Sequence, residues 1–196
     1  MKKHLFIFAV IIFIVSCNQN ITTQEETEKT TVSEEINYSE LGNLIVNQSQ
    51  QSLGGELKAA IQRGGISEAV NYCNLRAIPL TDSLAGFYNV TIKRATSQAR
   101  NPQNRASESE QEILDVWETK MKNDGEINPV LFEGEGSVDF YSPIVLQALC
   151  TNCHGKEGES LTAENNQLIK EKYPNDLATG YTEGDLRGMW HVRFKK

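Results

Sequence analysis

The chain has 196 residues, 39% hydrophobic and 23% charged, which fits one compact domain with short extensions. Its formal net charge is −7 and its lysines and arginines are scattered, which excludes a basic nucleic-acid-binding stripe. A body of this size buries a core without needing disulfide staples.

The first sixteen residues read as a targeting segment. Lys2 and Lys3 precede an eleven-residue apolar run, Leu5 to Val15. A bilayer-spanning helix needs about 20 residues, so the run suits the apolar region of a cleaved secretory signal. The following Ile14-Val15-Ser16-Cys17 resembles a bacterial lipobox, in which cleavage precedes the Cys and lipid is attached to its sulfur. The alternative is an ordinary signal peptide with a chance cysteine. Cleavage at Cys17 would remove Lys2 and Lys3 and leave 17 cations against 26 anions, a net charge of −9. The expected location is a membrane surface facing the periplasm or the cell exterior, held by a lipid on Cys17. Residues 17–36 then comprise the lipidated Cys and a Thr- and Glu-rich tether whose composition predicts disorder. The domain proper is expected over residues 37–196.

From Tyr38 the pattern becomes helical, with Leu41, Leu44, Ile45, Leu53, Leu57 and Ile61 at helical spacing. Gly54-Gly55 is expected to weaken or bend this helix, and Gly64-Gly65 to end it. A second helix is predicted from Ser67 to Ala77, closing near Pro79. Val90, Ile92 and Arg94 alternate within residues 89–96, which predicts a strand. Ala99 to Ala106 reads as a polar loop with an Asn101-Pro102 turn. Ser107 and Glu110 form a capping box for a helix running to about Lys122. Short strands are predicted at Val130–Phe132 and Val138–Tyr141, and a final strand at Met189–Phe194. Helical signals recur at Pro143–Leu149 and Ala163–Tyr173. This order predicts an α+β fold, a small antiparallel sheet flanked by helices.

Export to an oxidising compartment leaves Cys73, Cys150 and Cys153, an odd number that cannot pair off completely. Cys150-Thr151-Asn152-Cys153-His154 is C-x-x-C-H, the attachment signature of a c-type haem. Two thiols at this spacing can add to the two vinyl groups of one haem, and the adjacent His can ligate its iron. Two other readings compete. One is a redox-active or disulfide-bonded C-x-x-C, but thioredoxin-type motifs sit near the start of a βαβ unit and this one is late. The other is half of a zinc site, for which only Cys73 and His191 remain as partners in the mature chain.

Candidates for the second axial ligand are Cys73, Met121, Met189 and His191. More than a hundred mature residues precede the motif, unlike a small cytochrome with an N-terminal motif and a downstream Met. Cys73 lies on a predicted helix with Ala69 and Ala77 one turn either side, a wall that a flat macrocycle could approach closely. The bland alternative is a buried core cysteine. The block from Arg94 to Arg105, Arg94 and Arg100 especially, suits haem propionates because Arg forks match carboxylates; a solvated basic loop is the alternative. Tyr173, Tyr181 and Trp190 either line a pocket or fill the core.

Beyond these single features, residues 37–196 resemble the PAS-like single-haem c-type domain family, long catalogued as a domain of unknown function. The resemblance rests on Ala69 and Cys73, Arg94-Ala95-Thr96-Ser97, Arg100-Asn101-Pro102-Gln103-Asn104 and Tyr141-Ser142-Pro143-Ile144. It continues through the haem motif with Gly155, Lys172-Tyr173-Pro174-Asn175-Asp176, Ala178-Thr179-Gly180-Tyr181, Gly184-Asp185 and Leu186-Arg187-Gly188-Met189-Trp190. It implies a PAS-like fold and an iron held by a His and a Cys sulfur. Only Cys73 can match that Cys.

The leading functional expectation is an electron carrier with one covalent haem c and a redox partner protein. The second is a haem-based redox or gas sensor working through a partner protein. An enzyme such as a peroxidase fits poorly, because Cys73 would block the iron.

Overall fold

The computed structural model describes residues 36–196; the expected signal segment, Cys17 and all but the last residue of the expected tether lie outside them. The first element, α1 (Tyr38–Tyr88), is a 51-residue run broken at Gly64 and Gly65. Gly65 has φ 69° and ψ −157°, a conformation essentially reserved for glycine. The break folds α1 into a hairpin of two arms, and the Tyr88 hydroxyl donates across it to the Gln48 side chain. Gly54 and Gly55, expected to weaken or bend the helix, keep helical backbone. The second arm also runs past Pro79 to Tyr88, eleven residues beyond the expected end at Ala77. Leu84, Ala85 and Tyr88 pack against the main core, and that burial outweighs the hydrogen bond lost at Pro79.

Four strands follow: β1 (Thr91–Ala95), β2 (Val130–Glu133), β3 (Ser137–Val145) and β4 (Leu186–Lys195). They form one antiparallel sheet in the order β1-β4-β3-β2. The last strand in sequence is therefore central, and it brings the C-terminal residues between the two halves of the domain. Helix α2 (Glu108–Lys122) opens on the predicted capping box, with both reciprocal hydrogen bonds formed. The expected helix at Pro143–Leu149 is absent. Tyr141 to Val145 instead extend β3, paired with β4, and only Ala148–Cys150 turn as a 3-10 helix. The ladder to β4 overrides the local helical pattern.

Alternation along the strands sorts the sheet into two faces. Ile92, Val138, Phe140, Trp190 and Val192 face the α1 hairpin, where Ile45 and Val46 complete the core. Ala95, Tyr141 and Met189 face α2, packed with Leu114 and Trp117. A third cluster lies beside the sheet. There α4 (Ala163–Lys172) supplies Ile169 against Val70 of α1, with Leu161 and Tyr173. Against α4 lies the short α3 (Thr151–His154), which holds the last four residues of the C-x-x-C-H motif.

Candidate functional site

Local geometry groups the motif residues first. The 3-10 turn Ala148–Cys150 runs directly into α3, so Cys150 and Cys153 lie one turn apart with His154 beside them. The motif is followed by Gly155 for a steric reason. A Cβ there would meet Ser160 Oγ at 1.9 Å and the Thr151 carbonyl oxygen at 2.4 Å.

The motif opens onto a cleft of two overlapping lobes, about 180 and 290 Å³. All six residues singled out from the sequence, Cys73, Arg94, Arg100, Cys150, Cys153 and His154, line the smaller lobe. Ala69 and Ala77 flank Cys73 in its wall, and Leu57, Ile61, Ile66 and Val70 make the rest of that side apolar. Both arms of the α1 hairpin thus contribute. Of the four candidates for a second axial ligand, Cys73 alone lines the cleft. Met189 is buried on the α2 face of the sheet. His191 is held there too, by Glu110 Oε1 at 2.8 Å and Asp139 Oδ1 at 2.7 Å. Met121 sits in the last turn of α2, away from either lobe. Tyr173 and Trp190 line the cleft, whereas Tyr181 stacks beneath the Arg187 guanidinium at 5.3 Å.

His154 Nδ1 lies 2.8 Å from the Ala178 carbonyl oxygen. A carbonyl can only accept, so Nδ1 carries the proton and Nε2 is left as the free lone pair. Burial, then the nearby Arg100 and Arg187 charges, push the His154 pKa well below its ordinary value and keep the ring neutral. Burial likewise raises the Cys73 thiol, against a lowering pull from Arg94 and Arg100. The Cys153 thiol is pushed up to about 11, again chiefly by burial. Cys73, Cys150 and Cys153 are all free thiols.

The three cleft arginines differ in what they already hold. Arg100 is spent: its Nε and one terminal nitrogen grip Asp176 at 3.1 and 2.9 Å, and that nitrogen also reaches the Cys153 carbonyl at 2.6 Å. Arg94 makes no hydrogen bond or ion pair among the described residues, and lies over the Trp190 ring at 6.0 Å. Arg187 donates to Thr96 Oγ1 at 2.7 Å, but its buried Nε has no partner. Burial lowers the pKa of both Arg94 and Arg187, the mark of cations short of solvent. Arg187 was not singled out from the sequence. It sits where the β3–β4 register slips, since Ile144 pairs with Gly188 and Val145 with Leu186. An extra residue of this kind is re-aimed out of the regular alternation. An Arg inside a mostly apolar strand was the available signal.

Two guanidiniums without an ion pair among the described residues, a neutral imidazole with a bare nitrogen, three thiols and an apolar wall share one cleft. This donor set fits a flat, largely apolar group that carries carboxylates and a metal. Residues 15–194 match the Tll0287-like family, described as Tll0287, and the chain belongs to that family. This agrees with the family resemblance read from the sequence. The chain also matches the solved structure of a cyanobacterial protein described as the heme-protein Tll0287. The identity is 24% over 82% of this chain and 98% of that one, with a TM-score of 0.57, a likeness that speaks for the fold. No curated protein matches the chain.

Proposed function

We infer that this chain is a monohaem c-type cytochrome of PAS-like fold that carries electrons at a membrane surface. The observation that carries this reading is the convergence of the complete C-x-x-C-H motif, Cys73 and two arginines, Arg94 and Arg187, that form no ion pair among the described residues, on one cleft. Family membership and the haem protein among its structural likenesses support the cofactor. When bound, the haem supplies a one-electron iron couple.

The residues divide the work. Cys150 and Cys153 would hold the haem through thioethers, and His154 Nε2 would ligate its iron. Cys73 would be the second axial ligand, and Arg94 and Arg187 would neutralise the two propionates. A Cys73 thiolate favours ferric iron, so the expected reduction potential is low. Because the thiol lies above its usual pKa here, iron must displace its proton, and ligation should weaken in acid. A lipid on Cys17 would keep the domain where redox partners dock, and the acidic body would favour a basic patch on such a partner.

The test is an absorption spectrum of protein exported with c-type maturation machinery, beside Cys73→Ala and a fractionated Cys17→Ser variant. Haem that survives denaturation, and a Soret band that moves in Cys73→Ala, are the expected results. So is a shift of Cys17→Ser from membrane to soluble fraction. Haem lost on denaturation rules out covalent attachment, and an unmoved band removes Cys73 from the iron. Loss of the Cys73 ligand on reduction would turn the reading from carrier to sensor.

A further inference from the structure

The segment that accepts the His154 proton is itself clamped. Asp176 is 3% exposed and Arg100 12%, a buried pair with fork-to-fork geometry. Asp176 Oδ1 also accepts from the Ala178 backbone N–H at 2.9 Å. The Arg100 nitrogen that holds Asp176 reaches the Cys153 carbonyl at 2.6 Å and the Ala178 carbonyl at 3.3 Å. That Ala178 oxygen is the one His154 Nδ1 addresses at 2.8 Å. Two backbone bonds close the frame: Gly180 N–H to the Gly155 carbonyl at 2.9 Å and Tyr181 N–H to the His154 carbonyl at 3.0 Å. Arg100 thus ties the motif to residues 176–178, and one carbonyl serves both a cation and the imidazole.

The chemistry of this arrangement is directional. The stronger the acceptor at Nδ1–H, the more imidazolate character a ligating His gains, and the more it stabilises ferric iron. A guanidinium near the same oxygen draws on its electron density and weakens its hold on the ring proton. The Ala178 contact is the longest of the three made by that nitrogen, so the charge acts more than the bond length.

We propose that Arg100 and Asp176 are positioning residues for His154: the two backbone bonds keep the Ala178 carbonyl on Nδ1, while Asp176 holds the Arg100 guanidinium against that carbonyl, where it limits how far the carbonyl draws the ring proton. The proposal rests on the haem reading above. It assigns Arg100 to the iron's histidine rather than to a propionate.

The test uses the exported holoprotein and the double variant Arg100→Gln/Asp176→Asn, with Arg100→Lys beside it. The double variant removes one charge of each sign, so through-space effects on the iron largely cancel and no buried charge is stranded. Expected are retained covalent haem, a lower reduction potential and a higher iron–imidazole stretching frequency in the double variant. Arg100→Lys, which keeps the cation, should lie between it and the wild type. A double variant with covalent haem but unchanged potential and stretch overturns the proposal. Wild-type protein without covalent haem instead defeats the cytochrome reading. In that case the Nδ1 proton resonance of the haem-free protein still decides the clamp: it moves to lower field in the double variant, or the clamp is wrong.

Discussion

The Glu110 carboxylate, 2% exposed, closes the capping box of α2 by accepting the Ser107 N–H at 2.7 Å. It also accepts from Lys93 Nζ at 2.6 Å and faces His191 Nδ1 at 2.8 Å. Burial alone would raise its pKa, but the hydrogen bonds from His191, Lys93 and Ser107 outweigh it and lower the pKa to about 2. A depressed carboxylate stabilises the fold above its unfolded pKa, and that contribution fades as pH falls through the folded value. The window therefore runs from about 4.5 down to about 2. Solvent reaches Lys93, which is 32% exposed, so the contribution is about 1–3 kcal/mol rather than the full shift. Glu110→Gln should lower the urea midpoint at pH 7. The gap to wild type should narrow below pH 4.5 and close near pH 2. A gap independent of pH would mean that the carboxylate's charge contributes nothing.

At the scale of elements, the α1 hairpin decides whether a cleft exists, because Leu57 and Ile61 on one arm face Ala69, Cys73 and Ala77 on the other. The turn depends on Gly65, whose backbone no side-chain-bearing residue adopts without strain. Gly65→Ala should cost about 1–3 kcal/mol. Gly55 is exposed, helical and has nothing within 4 Å of a built Cβ. Gly55→Ala should therefore stabilise by about 0.5–1 kcal/mol. Denaturation midpoints moving in opposite directions would confirm the hairpin. Two equal shifts would argue for one uninterrupted helix.

For the whole molecule, a buried cation in the cleft wall costs stability unless an anion answers it. Arg94 carries a charge that burial penalises and that no anion answers among the described residues. In the haem-free protein, Arg94→Leu should stabilise by about 1–2 kcal/mol, because an unpaired buried cation is replaced by an apolar group. In the haem-loaded protein the same change should lose that advantage or reverse it, since ligand binding adds to folding free energy. Urea melts of the two forms separate these effects. A variant equally destabilised in both forms would make Arg94 an ordinary packing residue.

The sequence by itself determined what depends on neighbours along the chain. Cys150, Cys153 and His154 stood out as a candidate site because the motif is five residues long, and Ser107 and Glu110 were legible because a capping box is four residues long. Gly64-Gly65 and the alternation at Val90, Ile92 and Arg94 were legible for the same reason. Tertiary structure decided everything that depends on which distant segment arrives. Residues 143–145 looked helical, but their ladder partner on β4 lies some forty residues away, so only the sheet could make them strand. Cys73 could be separated from Met121, Met189 and His191 only once the two faces of the sheet were distinguished. Arg94 and Arg100 read alike in sequence, yet Asp176, 76 residues from Arg100, satisfies one and no described residue satisfies the other. Arg187 lines the cleft beside a register slip whose place the sequence pattern does not fix. Spacing specifies bonds within a turn of chain; which charges are left unpaired in a cleft is a property of the packed whole.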